Sequence, residues 1–307
     1  MSRLLPALLS ASLLLAGCAS APVPHRAASN PSPTAAAAAK VAAAPARAGT
    51  PPDDNLDAVV WAQTAMEHDL VYLQTYRDAQ SRLLAALHDP HWDALAKDDR
   101  VVPLNRHLKP AVVLDIDETV LDNSPYQVRL IRRGAEFDAA TWSAWCREEK
   151  ARALPGAVAF TRFAASHGIA VIYVTNRDAS LDQATLDNLR KDGFPVSGPD
   201  AFLGLGISVP NCEQIGTQKG CRRQLISRKY RVLMQFGDQL GDFVNVMVNT
   251  DAGRAKAMQP YLKWIGRRWF VLPNPTYGDW QPALFNNDWS LPRQERRRDM
   301  LHALHDQ

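Results

Sequence analysis

Apolar residues fall into two rhythms along this chain. At 111–114, 169–174, 231–236 and 269–272 they form short runs rich in β-branched and aromatic residues, which predict buried strands. A further short strand is expected at 202–205. Between these runs the spacing turns helical: 129–150 in two pieces, 157–166, 181–191, 222–228 and 253–265. Ahead of them Val59, Val60, Met66, Leu70, Leu73, Leu83, Leu84 and Leu87 recur at helical spacing. They predict one long packing helix, capped by Asp53 or Asp54 and stopped at Asp89-Pro90. Strands alternating with helices from 111 to 272 predict an α/β fold built on a doubly wound parallel sheet, with no internal repeat.

Polar residues gather where three of these strands run out. Asp115 and Asp117 follow the first, Thr175 the second, and Asp238 and Asp242 the third. In a parallel sheet those ends share one edge, which is where open α/β sheets bind ligands. Two carboxylates so close repel each other and are kept mainly where a cation or a shared proton compensates. Alone, the Asp115 stretch reads equally well as a strand ending in a turn; the convergence of three strand ends favours a site. Carboxylates beside a divalent cation, with a hydroxyl and a Lys, suit a phosphate monoester, whose oxygens need cations and donors. Mg²⁺ prefers such oxygen ligands, and a covalent aspartyl route divides a high barrier into two steps.

The N-terminus changes the picture of where this happens. Arg3, the apolar run 4–15 and the sequence Leu15-Ala16-Gly17-Cys18 read as an export signal too short to span a bilayer. The four-residue motif resembles the lipobox of bacterial lipoproteins. That resemblance implies cleavage after 17, lipid on Cys18, membrane attachment through the lipid alone and, with Ala19 next, an outer-membrane destination. Residues 18–52 are rich in Ala, Pro, Ser and Thr and read as a disordered tether. Residues 53–307 remain for one large domain. The net charge of +3 is modest, the Arg-rich run 293–298 reads as solvated surface, and no nucleic-acid partner is expected. Of four cysteines, Cys212 and Cys221 could pair in an exported protein, leaving Cys146 free.

Asp115-Ile-Asp117-Glu-Thr119, Thr175, Lys219 and Gly237-Asp238 through Asp242 resemble the four ordered motifs of the haloacid dehalogenase superfamily. More closely, 115–126, 174–177, 237–243 and 269–280, together with Trp61-Ala-Gln-Thr64 and Trp142 through Ala157, are similar to the class C acid phosphatases, lipoprotein 5′-nucleotidases. The resemblance implies a core at about 109–275 with a small, mainly helical cap at about 122–154 and 275–290. It implies that Asp115 attacks phosphorus and that Asp117 carries the proton. Thr175, Asn176 and Lys219 would hold phosphoryl oxygens. Asp115, Asp117 (through its carbonyl), Asp238 and Asp242 would hold Mg²⁺, Asp242 directly or through water, and Trp142 and Tyr277 would flank the leaving group of a small phosphate monoester. Trp145 and Trp280 are expected in packing. The long stretch 204–220 before the third motif leaves Arg222 and Lys229 open as alternatives to Lys219. A sugar phosphatase, a phosphotransferase and a non-enzymatic surface lipoprotein are the rival functions.

Overall fold

A computed structural model of the protein describes residues 53–105 and 107–306. The export signal, Cys18 and the tether lie outside the described residues. Among the described residues no helix is long and apolar enough to cross a membrane.

The centre is a five-stranded sheet, all parallel, in the order β5-β4-β1-β6-β7. Its members are β1 (Lys109–Leu114), β4 (Ala170–Asp178), β5 (Phe202–Leu205), β6 (Tyr230–Gly237) and β7 (Trp269–Val271). The doubly wound α/β fold expected from the alternation is what is observed. Period-two alternation splits β1 between two cores. Val112 and Leu114 pack with Tyr76, Phe160, Tyr173 and Phe236, while Ala111 and Val113 pack with Ile172, Val232, Phe243 and Trp269. A strand apolar on both faces belongs at the middle of a covered sheet, and β1 lies there.

The expected long N-terminal helix is two helices, α1 (Leu56–Thr64) and α2 (Met66–His88). Ala65 between them is extended (φ −80°, ψ 123°). Each half follows its own partner: Gln63 of α1 donates to Ser124 at 3.0 Å, while Tyr76 of α2 packs on Phe160 and Phe236. After β1 the chain leaves the sheet for a small excursion. It is framed by an antiparallel ribbon, β2 (Leu121–Asp122) with β3 (Arg152–Ala153), and carries α3 (Ser124–Arg133) and α4 (Ala139–Arg147). Gly134 (φ 59°) ends α3 in the left-handed conformation that glycine accepts most readily, and Asp138 caps α4 through the amide of Thr141.

The remaining helices are α5 (Ala157–Ser166), α6 (Asp182–Lys191), α7 (Gly220–Ser227), α8 (Asp251–Met258) and α9 (Arg293–His302). The helix expected to reach 265 is α only to Met258 and becomes a 3₁₀ turn at Gln259–Trp264, where Pro260 cannot continue the α-helical bonding. The Arg-rich run, expected as solvated surface, is α9. Arg296 is buried against Phe285 and Trp289 and pairs with Glu136, while Arg293 and Arg297 pair with Asp53 and Asp54.

Candidate active site

Three adjacent strands bring the site together. β1 runs out at Leu114, and Asp115 still donates its amide to Phe236 of β6 at 3.0 Å, so the first carboxylate remains part of the sheet edge. β4 carries Thr175, and β6 ends in Gly237 before Asp238. A Cβ on Gly237 would lie 2.1–2.4 Å from Asp242, so only glycine lets the loop fold back on the strand. Lys219 is the N-cap residue of α7 and points its ammonium into the same place.

There Lys219 Nζ donates to Asp242 Oδ1 at 2.6 Å and also to Asp115 Oδ1. Asp115, Asp238 and Asp242 each offer an oxygen within 4.8 Å of the others. Asp242 accepts from the Gln239 amide at 2.8 Å, and Asp238 accepts from Gln239 Nε2 and Asn274 Nδ2, both at 2.8 Å. Thr175, fully buried, donates to Asp117 Oδ2 at 3.4 Å and accepts from the Arg177 amide at 3.1 Å.

Charge decides what this place can hold. Burial pushes the Asp115 carboxyl well above the ordinary range; Lys219 opposes that, while Asp242, Asp238 and Asp117 reinforce it. Burial, then Asp242, pushes Asp238 up to about 7. Burial also disfavours the charge of Lys219, but Asp115 and Asp242 outweigh it and its pKa is raised. One ammonium thus stands among three converging carboxylates, too little positive charge for all three to ionise together, and after burial this is what holds the protons on Asp115 and Asp238. A cation supplies what is missing, and an all-oxygen donor set fits a hard divalent ion such as Mg²⁺.

Of the alternative cations, Lys229 pairs with Asp200 away from the site. Arg222 lies close, yet its guanidinium is used on the Thr175 carbonyl and on Asn176 Oδ1 at 2.8 Å. Lys219 is therefore the cation that meets the carboxylates. Asn176 is exposed and is held through that bond to Arg222. Cys212 and Cys221 are bonded to each other, the latter two residues past Lys219. Cys146 is free and buried.

The profile of the HAD superfamily, subfamily IIIB (acid phosphatase), matches residues 35–280. The chain belongs to this family of acid phosphatases, which are phosphoric monoester hydrolases. It is also similar to the solved class C acid phosphatase from Bacillus anthracis, with 31% identity, a TM-score of 0.70, and 82% of this chain and 97% of that one covered. The same Bacillus anthracis enzyme with tungstate bound matches with a TM-score of 0.69 at 31% identity over the same shares of both chains. The stem 31 kDa glycoprotein of Glycine max is 25% identical over 171 residues, 56% of this chain and 60% of its own length, so the chain spans less than two thirds of that relative.

Several groups that build this acid phosphatase site were not singled out from the sequence. Tyr72 and Tyr76, one turn apart on α2, donate to the carbonyls of Glu118 (2.5 Å) and Thr119 (2.7 Å) and so fasten the loop after Asp115. Glu118, at φ 53°, is buried; its carboxylate accepts from the Asn123 amide and from the Tyr277 hydroxyl. Trp142 is half-buried, with the Arg177 guanidinium 5.6 Å from its ring centre and Tyr126 against its edge. Trp145 is buried as expected, whereas Trp280 is 37% exposed, with its indole N–H donating to the Tyr277 carbonyl. The repeat of Tyr at i and i+4 was the one available signal for the α2 contacts. Arg177 and Asn123 lie inside the matched stretches 174–177 and 115–126, but nothing in either stretch marks them as partners of Asp117.

Proposed function

We propose that the protein is a Mg²⁺-dependent phosphatase that hydrolyses 5′-nucleotides and similar small monoesters through an aspartyl-phosphate on Asp115. The single observation that carries this reading is Lys219, buried and bonded at once to Asp115 and Asp242, beside Asp238 and within one sheet edge of Thr175. The Bacillus anthracis relative binds tungstate, a tetrahedral oxyanion, which supports an oxyanion ligand for this chain as well.

In this reading a carboxylate oxygen of Asp115 attacks phosphorus while the ester P–O bond breaks. Asp117 gives its proton to the departing oxygen. Water then attacks phosphorus, Asp117 takes a proton from it, and the Asp115–phosphorus bond breaks to release phosphate. Lys219, the Thr175 hydroxyl and Asn176 stabilise the non-bridging oxygens. Asp115, Asp238, Asp242 and the Asp117 carbonyl would hold the metal, which when bound supplies positive charge for the same oxygens. Trp142 and Tyr277 favour a flat leaving group such as a nucleoside. Lipid on Cys18 would tether the domain at the bacterial outer membrane, a proposal supported by the Leu15–Cys18 motif and the tether that follows it.

A hydrolysis panel of nucleoside 5′-monophosphates and sugar phosphates, each with Mg²⁺ and with EDTA, tests this. Nucleotides turned over faster than sugar phosphates, in Mg²⁺ only, is the expected result; full activity in EDTA contradicts it.

A further inference from the structure

The two oxygens of Asp117 are not equivalent. Oδ1 accepts two hydrogen bonds, from Arg177 Nε at 2.9 Å and Asn123 Nδ2 at 2.8 Å, and Arg177 Nη2 stands 2.8 Å from it in the same ion pair. Oδ2 accepts only the long bond from Thr175 Oγ1, at 3.4 Å, among the described residues. A carboxylate oxygen has two lone pairs, so Oδ1 is filled. A proton placed on it would face the N–H groups of a cation. The geometry points to Arg177 and Asn123 as positioning residues that reserve Oδ2 of Asp117 as the oxygen that gives and takes the proton.

The clamp is fixed without help from a substrate. Arg177 is fully buried, and its Nη1 donates to Thr185 of α6 at 3.3 Å. Its Nη2 also donates to Asn123 Oδ1 at 3.3 Å. Asn123 is fully buried as well, and its amide is orientated by Trp145: the indole N–H can only donate, and it donates to Asn123 Oδ1 at 2.8 Å. The amide nitrogen must then face Asp117. Through Trp145, helix α4 thus acts on the orientation of a carboxylate it does not touch.

The inference rests on the proposed role of Asp117 as proton carrier. Its chemistry is the one already written: proton from Oδ2 to the ester oxygen as that oxygen leaves, then proton from water to Oδ2 as water attacks phosphorus. When the clamp is loosened, Asp117 can turn about Cβ–Cγ and its proton is shared between two oxygens, one of them misdirected. A leaving group that needs no proton escapes the first penalty but not the second, because hydrolysis of the phospho-enzyme still requires the base.

The test compares a nucleoside 5′-monophosphate, whose alkoxide needs a proton, with 2,4-dinitrophenyl phosphate, which does not. Arg177→Lys, Asn123→Leu and Trp145→Phe are assayed by rapid quench, with thermal unfolding and inhibition by inorganic phosphate as checks on fold and ground-state binding. Trp145→Phe keeps an aromatic ring in the core while removing the indole N–H, so it carries the test if the other two fold poorly. General acid–base catalysis contributes about 10²–10⁴-fold, so nucleotide turnover should fall by about 30-fold or more in Arg177→Lys and Asn123→Leu, and by about 3–10-fold in Trp145→Phe. The first turnover of the dinitrophenyl ester should stay within about threefold of wild type, then slow into a burst as phospho-enzyme accumulates. Equal losses on both esters without a burst overturn the clamp. Asp117→Asn is the control: if it shows the split and the burst but the clamp variants do not, only the clamp fails. If Asp117→Asn slows the first turnover of both esters equally, the role given to Asp117 itself fails.

Discussion

Lys219 Nζ lies 2.6 Å from Asp242 Oδ1 in the same position from which it donates to Asp115, so one buried ammonium serves two carboxylates carried by the loops after different strands. Removing it leaves those charges buried and unpaired, which costs about 3–5 kcal/mol where a buried pair is broken. Lys219→Met should therefore lower the melting temperature in EDTA, and saturating Mg²⁺ should restore part of the loss. Turnover should fall by about 10²–10³-fold even with Mg²⁺, the size of effect seen when one donor to a developing anion is deleted. Thermal melts and steady-state kinetics of the same preparation check both.

The metal-free protein should have an unusual pH profile. Asp238 is raised to about 7, chiefly by burial, from an ordinary 3.8, and Asp115 is raised as well. A raised carboxyl binds protons more tightly folded than unfolded, so between about pH 4 and 7 the native state holds more protons and these groups subtract stability as pH rises. Lys219, raised from 10.5, stays protonated throughout that window. In EDTA, wild type should lose stability relative to Asp238→Asn as pH rises from 4.5 to 7.5. Mg²⁺, which binds the ionised form, should raise the wild-type melting temperature more at pH 7.5 than at 4.5. A Mg²⁺ effect that is larger at the acidic end would contradict the assignment of these carboxylates to the metal.

The sheet and the three loaded strand ends were legible because hydrophobic runs and parallel topology together dictate where Asp115, Thr175 and Asp238 must meet. The break at Ala65 was not: alanine is the best helix former, and the apolar spacing continues across it, so only the separate partners of α1 and α2 reveal it. Helix α9 was hidden by its charge, since Arg296 is buried by stacking on Phe285 and Trp289 rather than by an apolar pattern. The clamp on Asp117 was hidden too, because its members lie at 123, 145 and 177, and only the fold brings them to one carboxylate.

Trp142 and Tyr277 are tied to the site by different means, one resting beside Arg177 and the other donating to Glu118. Trp142→Ala and Tyr277→Ala should each raise KM for a nucleotide by about 5–10-fold, the worth of about 1 kcal/mol of aromatic contact, and change a sugar phosphate by less. Equal effects on both substrates would remove the argument for a nucleoside leaving group. Paired kinetics on the two substrates decide it.

The Cys212–Cys221 bond anchors the first turn of α7, from whose cap Lys219 reaches the site. Closing a loop of this size is worth about 2–4 kcal/mol. Cys212→Ser with Cys221→Ser should lower the melting temperature accordingly and weaken inhibition by inorganic phosphate, because the Lys219 loop is less firmly placed. Unchanged stability and unchanged phosphate inhibition in the reduced wild type would show that the bond does neither.

The central claim is that phosphoryl passes through Asp115, and acid-quenched enzyme mixed with a ³²P-labelled monoester tests it most directly. Label should appear within the first turnover on the peptide containing Asp115, only when Mg²⁺ is present, and vanish in Asp115→Asn together with turnover. Label on any other residue, or turnover persisting in Asp115→Asn, would contradict it.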